Sequence, residues 1–251
     1  MKAPTKAYPK TPAPVILALS LAGRLIAACL SATAGAYEEI SVSDGAVIEG
    51  RVTYDGRIPV RRVIPTSDRE ICGPIREWTL VERGPDNGVK NAVVYLERVE
   101  RGKAWPDEIR DTVPVIDNLD CNFEPHIQVM RPGEIDIHNS DPVLHNTKAY
   151  YGRRAVFNLA LPEKDMTIRR ELPRPGVVRF ECDAHGWMQA WAYVLTHPYY
   201  ALTGEDGTFR ITDVPPGEYT LIARHEYAGD ELQETIEVSA NETRELDLEL
   251  K

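Results

Sequence analysis

An excess of basic residues, a second long apolar run and a nucleophile elbow are all missing from this chain. Its 251 residues hold 29 lysines and arginines against 39 aspartates and glutamates. That balance argues against a nucleic-acid partner, because phosphates reward clustered positive charge. Only the stretch from Val15 to about Leu30 is predominantly apolar, with Arg24 interrupting it, and nothing after it approaches the ~20 residues that cross a bilayer. No Gly-x-Ser-x-Gly turn occurs and no pair of carboxylates can be assigned to a cleft, so the chain is read as no enzyme. Cysteine is scarce too, with Cys29, Cys72, Cys121 and Cys182 in all. Nineteen prolines, seventeen glycines and many short alternating runs indicate an all-β chain.

One of those cysteines stands in the most informative segment, Cys182-Asp-Ala-His185-Gly-Trp-Met188. It puts a thiolate, an imidazole and a thioether within seven residues, and His145 lies 37 positions before Cys182. Two His, one Cys and a weak axial Met are the ligands of a blue-copper electron-transfer site, since soft sulfur donors suit copper in both oxidation states. In Val177-Val-Arg-Phe-Glu-Cys182 the alternation places Val178, Phe180 and Cys182 on one face of a strand. Gln189 to Leu195 reads as the returning strand. Upstream, residues 123–146 give two short strands around the Pro132-Gly133 turn and then a loop that delivers His145.

At these residues the chain resembles the cupredoxins, over roughly residues 105–196 and including Asn139-Ser-Asp-Pro-Val-Leu-His145-Asn146. The ligand loop, with two residues between Cys182 and His185 and two between His185 and Met188, is similar to that of amicyanin and pseudoazurin. The wider match is to bacterial cupredoxins labelled methylamine-utilisation proteins. The resemblance implies a Greek-key β-sandwich with one copper ion on His145, Cys182, His185 and Met188. It also implies that Asn146 hydrogen-bonds across to the Cys182 loop, and that the exposed edge of His185, ringed by Gly186, Trp187 and Pro142, admits the electron. Trp187 would either dock a partner or pack over the loop and keep water off the metal.

Each ligand has a plainer reading on its own: Cys182 as a small buried hydrophobe, Met188 as a core filler, the histidines as ordinary polar residues. A zinc site of Cys121, His126, Cys182 and His185 is a further alternative, although it leaves Met188 and His145 without a role. His138, His197 and His225 stay unassigned. If Cys182 binds metal, Cys72 and Cys121 remain to form a disulfide in an exported protein, worth roughly 4 kcal/mol by loop closure.

Export is expected from the N-terminus. Lys2, Lys6 and Lys10 precede the apolar stretch, and Ala32-Thr-Ala34 or Ala34-Gly-Ala36 offers a small-residue cleavage site, making residues 1–36 a signal peptide. Ile26-Ala27-Ala28-Cys29 also resembles a lipobox, with cleavage after residue 28 and lipidation of Cys29 as the only route to a membrane. The protein would then be periplasmic or extracellular. Residues 1–36 carry Lys2, Lys6, Lys10 and Arg24 and no acids, leaving 25 basic against 39 acidic residues. That surface suits a basic redox partner such as a c-type cytochrome, or a membrane oxidoreductase, and serves solubility equally well.

Two stretches outside the copper module look like halves of one second sandwich. Val47-Ile-Glu-Gly-Arg-Val-Thr-Tyr and Asn91-Ala-Val-Val-Tyr-Leu come before it, and Leu202-Thr-Gly-Glu-Asp-Gly-Thr-Phe to Tyr219-Thr-Leu comes after. The latter reads as a hairpin around Pro215-Pro216-Gly217, and Leu246, Leu248 and Leu250 as a last strand. These segments resemble the carboxypeptidase regulatory-like, transthyretin-type sandwich. Residues 45–100 and 198–251 would form one discontinuous domain around the inserted 105–196 domain. The competing layout is an N-terminal extension plus a separate C-terminal module. The function expected is one-electron transfer between redox partners. Copper delivery or buffering, and a non-redox carbohydrate- or protein-binding module, are the alternatives.

Overall fold

In the computed structural model, residues 36–251 are described; the expected export signal and Cys29 lie outside them. The fold is all-β, built from short strands in several sheets. Among the described residues no helix is long and apolar enough to cross a membrane.

The middle of the chain forms two sheets around one core. One sheet runs Met166–Leu172, Gly133–Asn139, Val115–Leu119, Asn122–Glu124; the other runs Arg154–Leu161, His145–Tyr151, Gly176–Cys182, Gln189–Val194, Ile127–Met130. Val178, Phe180 and Cys182 alternate inward from Gly176–Cys182 and pack with Ile116, Ile135, Ile137 and Leu172 of the facing sheet. The Pro132-Gly133 turn does not close a hairpin. Ile127–Met130 pairs in parallel with Gln189–Val194, whereas Gly133–Asn139 pairs with strands of the opposite sheet. The turn thus carries the chain from one layer to the other, because both flanking strands bury an apolar face in the same core.

A second core is built from both ends of the described chain. Ala46–Tyr54 lies between Thr208–Val214 and Thr243–Glu245, and also pairs with Leu248–Leu250. Val93–Leu96 lies between Tyr200–Leu202 and Gly217–Arg224, which pairs onward with Leu232–Val238. Ile48, Val52, Phe209 and Ile211 of the first sheet meet Val94, Leu96, Leu221 and Ile236 of the second. The Pro215-Pro216-Gly217 turn again joins strands of opposite sheets rather than a hairpin. Leu248 and Leu250 are buried strand residues, while Leu246 precedes the strand and packs only partly on the core. Gly207 is held at φ +78°, and a Cβ there would lie 2.4 Å from the Val52 carbonyl oxygen, so only glycine fits this turn.

The two cores are joined through the outer face of Gln189–Val194. Its Ala190, Ala192 and Val194 face the inner core, while Trp191 and Tyr193 turn outward against Val93, Tyr95 and Tyr227. A strand covered on both faces loses the polar alternation of a surface strand, which explains the unbroken run Ala-Trp-Ala-Tyr-Val. His126 Nε2 meets Glu226 Oε1 at 2.6 Å across the same junction. Burial disfavours charge on His126 most strongly of any single influence, yet the Glu226 carboxylate and the Gln189 carbonyl outweigh it and raise its pKa. A raised histidine pKa contributes stability that is complete at acid pH and fades as pH rises through the folded value. Glu226→Gln should therefore lower the urea midpoint clearly at pH 5.5 and far less at pH 9. An equal loss at both pH values would show that the pair contributes no charge term.

Candidate metal centre

His145 opens the strand His145–Tyr151, Cys182 closes Gly176–Cys182, and His185 lies in the loop that leads to Gln189–Val194. Thr147 pairs with Cys182 across these neighbouring strands, so the first two ligating groups are brought together by sheet register. His145 Nδ1 and His185 Nδ1 are 3.1 Å apart, and each lies 3.9 Å from Cys182 Sγ. A triangle with these sides has a centre about 2.1 Å from every corner, close to metal–imidazole and slightly inside metal–thiolate bond lengths. His145 and His185 are fully buried, and Cys182 is nearly so.

The hydrogen bonds behind the imidazoles orient both lone pairs into that triangle. His145 Nε2 donates to Asp141 Oδ2 at 2.8 Å, and the same carboxylate accepts the amides of Asp120 and Cys121. His185 Nε2 contacts Asp68 Oδ2 at 3.3 Å. Protons drawn to Nε2 by carboxylates leave Nδ1 free on each ring. Two such lone pairs 3.1 Å apart repel unless a cation lies between them. Burial pushes the Cys182 thiol up, opposed by the amides of Asn146, His185 and Ala184. Burial likewise pushes His145 down, against the pull of Asp141. A bound cation would offset both costs, so donor chemistry and spacing fit a soft or borderline transition metal.

Met188 is buried in the same core, and its amide donates to the His185 carbonyl at 2.9 Å, closing the ligand loop into a turn. Lys148 pairs with Asp183 and ties that loop to the neighbouring strand. Trp187 packs rather than projects: its ring lies 5.2 Å from that of His185, and Nε1 donates to the Cys121 carbonyl.

One expectation is corrected here. The edge of His185 is not exposed; it is covered by a segment that runs from strand Val60–Val63 through the short helix Arg69–Cys72 to strand Arg76–Thr79. This cover is fixed at three points. Asp68 touches His185, Arg61 donates to the Trp187 carbonyl and to Gln189 Oε1, and Cys72 is disulfide-bonded to Cys121. The zinc alternative fails because Cys121 is in that disulfide and His126 is engaged by Glu226 and the Gln189 carbonyl. Asn146 makes the expected hydrogen bond to the Cys182 loop through its backbone amide, which reaches Cys182 Sγ at 3.4 Å, while its side chain bonds Asn158 and the Leu159 carbonyl. Asn146→Ala should accordingly leave the metal–thiolate absorption in place; loss of that band would show that the side chain, not the amide, holds the sulfur.

The remaining histidines lie elsewhere. His138 bonds Thr167, His225 accepts the amides of Tyr227 and Ala228, and burial holds His197 down to about 4. Asp141 and Asp68 were missed from sequence. Asp141 stands four residues before His145, a spacing that could have been noticed. Asp68 is 117 residues from His185 and carries no local signal.

Comparison with known proteins adds a match of residues 193–251 to the model of the carboxypeptidase regulatory-like domain. Among solved structures, one reduced amicyanin variant aligns at 19% identity over 34% of this chain and 84% of its own, with a TM-score of 0.30. Another aligns at 17% identity over 41% and 98%, with a TM-score of 0.31. A copper-containing nitrite reductase from Thermus scotoductus aligns at 14% identity over 40% and 25%, with a TM-score of 0.29. No curated protein matches the sequence.

Proposed function

We propose that this protein is an extracytoplasmic carrier of single electrons that uses one copper ion, which His145, Cys182, His185 and Met188 would hold, and that it is not an enzyme. The observation that carries this reading is the buried triangle of two Nδ1 atoms and one Sγ, each imidazole backed by a carboxylate. Bound there, copper would supply one-electron chemistry, because sulfur and imidazole donors suit both of its oxidation states. The chain's own part is to fix those donors and exclude water. Sheet register places His145 beside Cys182, the hydrogen bond from Met188 closes the loop, and the cover seals His185. A basic redox protein, such as a c-type cytochrome or the exposed domain of a membrane oxidoreductase, suits the acidic balance of residues 37–251. The second sandwich would hold the copper unit in place through Tyr95, Tyr193 and Trp191.

Adding Cu(II) to the metal-free protein should produce an intense visible band that bleaches with ascorbate and returns with an oxidant. A colourless complex, or one that binds zinc alone, would overturn the reading. Copper delivery is the second reading: the cover over His185 is tied down by the Cys72–Cys121 disulfide, whose reduction would give the ion a way out. It predicts rapid loss of copper to a chelator, where a carrier retains it.

A further inference from the structure

The disulfide in the cover does not sit at an arbitrary place along it. The sulfurs of Cys72 and Cys121 and a ring nitrogen of His185 all lie within 4.8 Å of one another. Cys121 Sγ is also within 4.8 Å of potential ligand atoms of Asp141 and His145. All of these residues are buried. A disulfide that only had to staple the segment down could bridge anywhere along it, whereas this one forms a wall of the metal centre.

His185 stands between two donor sets. Its Nδ1 faces Cys182 and His145, and its Nε2 faces the cover through Asp68. The Cys72 amide donates to the Asp68 carbonyl at 2.8 Å, so the residue that touches Nε2 and the cysteine sit on one helical turn. We propose that reduction of the Cys72–Cys121 disulfide creates a second metal site, a soft-metal site for Cu(I), in which the two thiolates are the ligands and His185 borders the ion. The inference takes only its choice of metal from the copper reading above.

The chemistry balances with a dithiol as reductant. It gives two electrons and two protons, the S–S bond breaks, the reductant leaves as its own disulfide, and Cys72 and Cys121 become thiols. Binding Cu(I) then releases the two thiol protons, and thiolates select this oxidation state. A small-molecule disulfide would take back two electrons and two protons and leave as its dithiol, re-forming the S–S bond, releasing Cu(I) and closing the cover again. His185 borders both sites, so an ion on the cysteines lies beside the centre it could fill.

Native mass spectrometry of the full chain, exposed anaerobically to Cu(I) supplied as its acetonitrile complex, tests this. The reduced protein should carry one more copper ion than the oxidised protein. The Cys72→Ser/Cys121→Ser double variant should bind the oxidised number with or without reductant, its fold checked by near-ultraviolet dichroism. If the double variant does not fold, Cys72→Ser alone serves, since one remaining thiol cannot make the two-thiolate site. Equal counts in oxidised and reduced wild type would overturn the proposal, as would an extra ion that survives loss of the cysteines. One ion in the reduced protein and none in the oxidised would support this site while refuting the copper reading of the first, so the two failures are distinct.

Discussion

Replacing Cys182 with serine should abolish the visible copper–thiolate absorption and leave the fold standing. Cys182 is the single free cysteine among the described residues, and its sulfur is the only thiolate available to the triangle. A serine hydroxyl is a hard, neutral donor that does not supply the sulfur-to-copper charge transfer, so the expected loss of the band is complete rather than partial. Structural damage should be small. The side chains are close in size, and the Asn146 amide that points at Sγ can donate to a hydroxyl instead. The cost should be about 1 kcal/mol in urea unfolding of the metal-free protein, ordinary for a single buried change. Copper uptake should weaken without vanishing, because the two carboxylate-backed imidazoles remain. A variant that keeps the full band would place the thiolate elsewhere and sink the assignment. One that fails to fold without metal would show that Cys182 acts chiefly through packing with Phe180 and Val178.

Most of the all-β architecture was legible because alternation is local. Val178, Phe180 and Cys182 could be put on one inward face from sequence alone, and they are buried. The two prolyl turns, at Pro132-Gly133 and Pro215-Pro216-Gly217, were visible as turns, but not as crossings between sheets. A turn's residues report its backbone shape, whereas the layer in which the next strand lies depends on which face of the core is still unfilled. The same division runs through the site. His145, Cys182 and His185 stood out by residue type and spacing, and they converge. The Asp68 contact did not stand out, because it depends on a segment more than a hundred residues away folding back over His185. The resemblance even pointed the wrong way, to an open edge at His185, since an added cover leaves no mark on the ligand loop. Cys72 and Cys121 were paired by elimination, but their nearness to the imidazoles was not foreseeable.

Removing that disulfide should cost about 4 kcal/mol, the loop-closure entropy of a span of 49 residues, and lower the melting temperature by roughly 8 to 16 °C for a chain of this size. Cys72→Ala/Cys121→Ala tests it in the metal-free protein, with thermal melts in the presence and absence of reductant. The wild type should drop to the level of the variant when reduced, and the variant should not respond. The reason to expect most of the entropic value is that other contacts already favour the bridged arrangement. Cys72 and Cys121 are buried in the inner core with Ile71 packed beside them, and Arg61 and Asp68 hold the same segment down without the bond. Those contacts also predict that the cover loosens rather than leaves, so His185 should become reachable in the variant while the two sandwich cores persist. Histidine-directed modification of His185 by diethyl pyrocarbonate, read by mass spectrometry, should rise severalfold as the melting point falls. A fall in melting point with His185 still protected would mean that Asp68 and Arg61 seal the site by themselves, and that the disulfide serves the stability of the chain and not access to the metal.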